Sequence, residues 1–471
     1  MKKYNVKPVC TLLSCLLIFG EVLLFAGCKN KNHGEEKTVA EDSIWFNSTT
    51  TKIEDIYQDN AVDYYESEII GVYNDGLVLK TTGAYKLPDD FDWKTGNYED
   101  YNFINIDYYT LSGELISSID VSKAVSGKNN TRINDIVVND TGVKLITVNS
   151  INGKDEFYSA EIDLVTGVVG EFKELLNKSS DLSLNDDMVF EGTWNIGEYL
   201  VSRYRWVNSY VFSFVISKGS SSIFSDLSVS FPFSKIVDIS GYITVSDTEI
   251  LLVCSSNDVR FILLNLETGE IVNYDNECDW INSINFTTRL SSVDGKSYIT
   301  TQEGIKYLNF DKREQEEILS YNCCNLNRYT IGKMDLYSAK DDKYIFAGII
   351  RYDDSLNISG YGSSEIPTIV VLEKTETNPN AGKVIITAAS IGRIEVSYPI
   401  CEAIRVFNDA SDEYIVQLEN NYRLTDHVDY SNAETNDELM DIYYKGASEV
   451  LLDKCTKSLI DDKEVTVKDG V

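Results

Sequence analysis

The chain has 471 residues, more than one hydrophobic core usually organises, so two folding units or one large repeat architecture are expected. Its 42 Lys and Arg face 75 Asp and Glu, a net charge of −33 that repels phosphate backbones and argues against nucleic-acid binding. The only histidines are His33 and His427, which all but excludes His-rich zinc sites, and 30 Tyr and 18 Phe beside only 6 Pro favour strands.

Lys2, Lys3 and Lys7 precede an apolar run of 17 residues, Thr11 to Gly27, which is short for a membrane span of about 20 residues and is interrupted by Glu21. A charged start, a short apolar core and small residues before a cut site predict an export signal over 1–27. Phe25-Ala26-Gly27-Cys28 resembles the bacterial lipobox. That resemblance implies that Cys28 is acylated and becomes the first mature residue, so lipid holds the protein at a membrane, outside the cytoplasm. A plain secretory signal or a single membrane anchor is the alternative. Residues 28–44 are polar and read as a flexible tether.

From 45 to 380 short apolar runs alternate with polar turns. An apolar run, a turn usually holding Gly and a second apolar run recur around Gly113, Gly167, Gly219 and Gly269, with weaker copies around Lys312 and Thr375. Neighbouring turns lie 43 to 63 residues apart. This period, with four short strands per unit, predicts a mainly β fold, a β-propeller of six blades, or seven, each hairpin forming the outer half of a blade. IIGVYNDGLVLKT, DIVVNDTGVKLITVN and VSDTEILLVCSS supply inner halves. A solenoid or two stacked β-sandwiches are the alternatives.

Residues 383–471 change period. VIITAA reads as a strand, Pro399 opens a segment with Ile400, Ile404 and Phe407 at helical spacing, and Tyr414, Val416 and Leu418 alternate. Leu439, Ile442 and Tyr443 return to helical spacing before the strand EVLLD, so parallel α/β pairing is expected. KVIITAA, AIRVFNDASDEYIVQLE and DIYYKGASEVLLD resemble the opening of the family 1 extracellular solute-binding proteins, receptors of ABC importers. The resemblance implies a carbohydrate or other small solute as ligand and an ABC permease or envelope protein as partner. It covers only the start of one lobe, and a generic α/β cap is the alternative.

Candidate chemistry is sparse. No G-x-S-x-G elbow follows the leader, and neither a P-loop nor a dinucleotide fingerprint occurs. SSVDGKSY at 291–298 lacks the spacing of a sialidase Asp box, and PDDFDWKTGNYED at 88–100 lacks the alternating ligands of a calcium loop. No catalytic residue, metal or cofactor is therefore assigned. Without a C-x-x-C, Cys254, Cys278, Cys323, Cys324, Cys401 and Cys455 read mostly as small buried hydrophobes, with a bridge at Cys323-Cys324 or from that pair to Cys254 or Cys278 as the alternative. Trp93, Tyr98, Tyr101 and Trp280 lie among Asn and Asp, the composition of a sugar-stacking surface, or else pack between blades. The expected role is a non-catalytic binding module. A protein-interaction propeller and a propeller hydrolase or lyase are the alternatives.

Overall fold

A computed structural model describes residues 23–25, 37–57, 61–128, 130–139, 142–151, 154–174, 188–206, 211–218, 221–227, 238–255, 259–281, 289–293, 295–351, 365–390, 396, 398–419, 457–460 and 463–466. Two compact units form. One comprises Thr49–Leu319 and Gly332–Glu373, the other Met1–Ser48, Ser320–Ile331 and Lys374–Val471.

The first unit is a six-bladed propeller of four-stranded sheets, one of which carries a fifth short strand. Blades 1 to 5 run in chain order from their inner strands, Val62–Tyr73, Thr131–Asn139, Met188–Ile196, Asp238–Ser246 and Arg289–Val293. Blade 6 takes its three inner strands from Asp335–Lys340, Lys343–Arg351 and Glu365–Lys374, and its outermost strand from Phe46–Lys52. Inner strands adjoin from blade 1 to 2, 2 to 3, 4 to 5 and 5 to 6, and that of blade 6 meets that of blade 1.

The middle strands are largely buried, as in Phe212–Lys218, where all but the last residue is buried, and in the apolar start of Gly76–Tyr85. The cores lie between blades. Ile106 and Leu145 join blades 1 and 2; Val148 and Val215 join 2 and 3; Phe214 and Leu252 join 3 and 4. Leu251 and Ile299 join 4 and 5, while Leu77 and Ile369 join 1 and 6. Each such side chain contributes about 1.5–3 kcal/mol by leaving water.

The outer hairpins share a local cause. In DLVTG the Asp163 carboxylate accepts from the Val165 and Thr166 amides, and in NLETG Asn265 does the same for Glu267 and Thr268. The chain then turns at Gly167 (φ 74°) and Gly269 (φ 72°), where a side chain would be strained. In blade 5 the left-handed position falls on Arg313, next to the Lys312 expected from sequence.

The expected sixth hairpin around Thr375 does not form. Glu365–Lys374 is the third strand of blade 6, and its outer neighbour arrives from the N-terminus. Five of the six inner strands also carry a β-bulge, at Ile70, Asn134, Glu191, Ser240 and Tyr337, which adds local twist.

In the second unit Val384–Ser390 pairs in parallel with Tyr414–Glu419, joined by the helix Tyr398–Ala410. Asn408 ties helix to strand, donating to the Val416 carbonyl (3.0 Å) and accepting its amide (2.7 Å). Lys457–Ile460 and Lys463–Thr466 form an antiparallel hairpin. Leu23–Phe25, inside the expected leader, pairs antiparallel with Val384–Ser390. Cys28, the remainder of the leader and the DIYYKGASEVLLD stretch lie outside the described residues.

Residues 37–44 correct the expectation of a tether running to 44. The Val39 amide donates to the Lys383 carbonyl, and Val39 is buried with Trp45 and Ile415. Two apolar side chains with a β-edge to join are enough to order an otherwise polar stretch.

No helix among the described residues is long and apolar enough to cross a membrane. Cys254 and Cys278 are unbridged and buried, and burial pushes both thiols up to about 12.

Candidate functional site

All six inner strands begin at the same end of the ring. There, between blades 6 and 1, lies a cavity of about 750 Å³. Blade 1 supplies Glu66 and Glu68 from its inner strand, with Thr82 and Lys80 opposite them in register on the second strand. Blade 6 supplies Asp335, Tyr337 and the preceding Lys333; Arg289, the first residue of the blade 5 inner strand, completes the charged wall.

Alternation explains why these residues gather. Glu66 and Glu68 are two apart on their strand, as are Lys80 and Thr82 on the next, so each pair shares a face. Lys80 pairs with Glu68 at 3.3 Å. Burial raises the Asp335 carboxyl above the usual range, and the Arg289 charge partly offsets this.

Outside the cavity lining, Asp135 on the inner strand of blade 2 accepts from the Ile136 amide (2.8 Å) and, across the blade boundary, from the Thr193 amide (2.9 Å). Its carboxyl is also raised by burial, though these two bonds and Lys80 draw it down. Arg203 lies 4.5 Å over the Trp194 ring and donates to the Ile239 carbonyl at 3.2 Å. Charges of both signs are therefore buried where blades 2 and 3 and blades 3 and 4 meet.

The four aromatics singled out from sequence separate into two places. Trp93, Tyr98 and Tyr101 sit on the loop between the second and third strands of blade 1. That loop belongs to the same end of the ring as the cavity, because Tyr85 pairs with Val62 at the start of the inner strand. Phe91 meets Trp93 edge-on at 5.0 Å and Tyr101 at 5.6 Å, leaving Trp93 74% and Tyr98 57% exposed. The loop is held by Asp92, which accepts from the Lys94 amide and the Thr95 hydroxyl, and by Asn97, which caps the turn at Glu99. Trp280 lies elsewhere: it packs edge-on against Phe310 at 5.2 Å in the core between blades 4 and 5, and its carbonyl accepts from Gln315. The structure does not bring it to the other three.

Sequence reading passed over Glu66, Glu68, Lys80, Arg289, Lys333 and Asp335. One signal was present: an Asp followed by Ile or Leu in the inner strands of blades 2, 4 and 6, at Asp135, Asp238 and Asp335. Among the described residues no cluster of three or more His, Cys, Asp or Glu is placed to hold a metal ion. Both histidines lie outside the described residues.

No protein-family model matches the chain, and no curated protein matches it. Among solved structures it is similar to a luciferin-regenerating enzyme, at 9% identity and TM-score 0.36, over 70% of this chain and 97% of that one. It is similar to a polysaccharide lyase at 10% identity and TM-score 0.35, over 66% and 77% of the two chains. A Trypanosoma rangeli sialidase gives 10% identity and TM-score 0.32, over 72% and 58%. The fold and its blade count rest on the strand order described above.

Proposed function

We propose that the chain is a lipid-anchored envelope protein that binds a small polar solute, carbohydrate being the first class to test, and carries out no bond chemistry on it. One observation supports the site: a cavity of about 750 Å³ at the strand-start end of the channel, lined by charged and hydroxyl groups from three blades. Sites for small ligands span about 300–1,000 Å³ and use a few convergent polar groups for orientation. The preordered loop bearing Trp93 and Tyr98 at the same end offers ring faces for stacking.

The test is a thermal-shift screen of sugars and other small solutes against the wild type and Ile349→Trp, which fills the cavity from the second strand of blade 6. A ligand of the native state at about 100 times its Kd stabilises by about 2.7 kcal/mol, a readily measured rise in Tm. The rise is expected in the wild type and not in Ile349→Trp. Shifts that persist in the variant, no shift from any solute, or a solute chemically altered on incubation would each overturn the reading.

The anchor has its own test. Cys28→Ala is expected to move the expressed protein from the membrane fraction to the soluble extracytoplasmic fraction and to abolish labelling by a clickable fatty acid. Equal partition of variant and wild type would remove lipid from the proposal.

A further inference from the structure

We infer that the solute bound at the channel mouth is a zwitterion, with a carboxylate and an ammonium group close together on a body about the size of a sugar ring or a dipeptide. The inference rests on reading the cavity as the binding site and names the ligand class for it.

Composition provides the contrast. Across the chain 75 acidic residues outnumber 42 basic ones, yet the cavity carries three of each: Glu66, Glu68 and Asp335 against Lys80, Arg289 and Lys333. The signs also interleave. Glu68 and Lys80 face each other across one strand pair at 3.3 Å, and Asp335 stands in the field of Arg289 on the opposite wall.

A neutral solute entering such a space removes water from ionised groups and returns no charge to them, which costs free energy at each one. A purely anionic solute gains at Arg289 and Lys333 but meets three carboxylates; a purely cationic one meets the reverse. Charge complementarity rejects wrong partners through these like-charge contacts more than it strengthens the right one. A zwitterion answers both sets. Its carboxylate suits the planar fork of Arg289, which can donate two parallel bonds, and its ammonium suits Asp335 and the glutamates of blade 1. The cavity volume exceeds what an amino-acid headgroup fills, so a larger body is accommodated beside it.

Calorimetric titration of the full chain in detergent can decide this, with alanyl-alanine and muramic acid as zwitterions of peptide and sugar type. Glucuronic acid is the anion, glucosamine the cation and glucose the neutral control. At least one zwitterion is expected to bind about tenfold or more tightly than all three controls. Arg289→Gln, a change at an exposed position, should weaken that zwitterion about tenfold or more while leaving the melting temperature of the free protein unchanged. Which zwitterion binds identifies the body. If glucose or glucuronic acid binds as tightly and Ile349→Trp abolishes it, the site stands and the zwitterion inference falls. If nothing binds, both fall. Zwitterion binding indifferent to Arg289→Gln also overturns the inference.

Discussion

A chain that begins at Ile53, and so lacks Phe46–Lys52, is expected to lose cooperative folding of the propeller. That strand is the outermost of blade 6, while the rest of the blade is made about 290 residues later in the chain by Asp335–Lys374. Without it, Glu365–Lys374 becomes an unpaired sheet edge ten residues long and rich in Ile and Val, a template for association between chains. The lost ladder alone costs on the order of 5 kcal/mol at about 1 kcal/mol per bond, a large share of the 5–15 kcal/mol by which domains are usually stable. Damage should spread first to blade 1, because Ile53, Leu77 and Leu79 share one core with Ile345 and Ile369 of blade 6. Hydrogen exchange should show blades 6 and 1 losing protection, and size exclusion should show oligomers. A monodisperse truncated chain with the wild-type melting temperature would mean that the ring closes without this strand.

The same strand shows where sequence reading stops. Blades 2 and 4 announced themselves because their outer hairpins are local: DLVTG and NLETG contain both the side-chain acceptor and the glycine that the turn needs. Blade 6 has no such hairpin. FNSTTTK is polar, with most of its side chains exposed or half-buried, so nothing in its composition says that it completes a sheet formed at the other end of the chain. The α/β segment was legible through residue 419 because a helical face at Ile400 and Ile404 followed a strand that alternates with it. The cavity was illegible for another reason. In a chain so rich in charge, Glu66 or Arg289 looks like any solvated surface residue, and only closure of the ring sets residues from blades 1, 5 and 6 around one space. Aromatic content misled in the same way: Trp93 and Trp280 have similar neighbours in sequence, but one remains on a loop and the other turns into a core.

Asp107→Ala should be among the most destabilising single substitutions in the propeller, lowering stability by about 3–4 kcal/mol. Asp107 is fully buried on the third strand of blade 1. Its carboxylate accepts from Tyr57 Oη at 2.8 and 2.9 Å, Thr81 Oγ1 at 2.9 Å and Ser118 Oγ at 2.5 Å. Asn105 donates to Tyr57 Oη at 2.9 Å, and the Tyr57 ring stacks on Phe103 at 5.5 Å. One acceptor thus fastens the segment after the N-terminal strand to three strands of blade 1. Alanine leaves three hydroxyls without it and opens a void, for a fall in Tm of about 5–6 °C in a unit of this size. Asparagine keeps one carbonyl oxygen and hydroxyls can rotate to meet its amide, so Asp107→Asn should cost about half as much. Burial raises the Asp107 carboxyl more than the three hydroxyl donors lower it, so the native state holds its proton more tightly than the unfolded chain does. The sign follows: as pH rises from the ordinary carboxylate value of about 4 through the raised native value, stability falls. Asp135 and Asp335 are raised in the same sense, so the wild type should melt higher in weak acid than at neutrality. The decline between those conditions should be shallower in Asp107→Asn, which has no proton to lose. Parallel pH profiles for the two proteins would show that Asp107 does not ionise in this window, and an unchanged Tm in Asp107→Ala would show that the network bears no load.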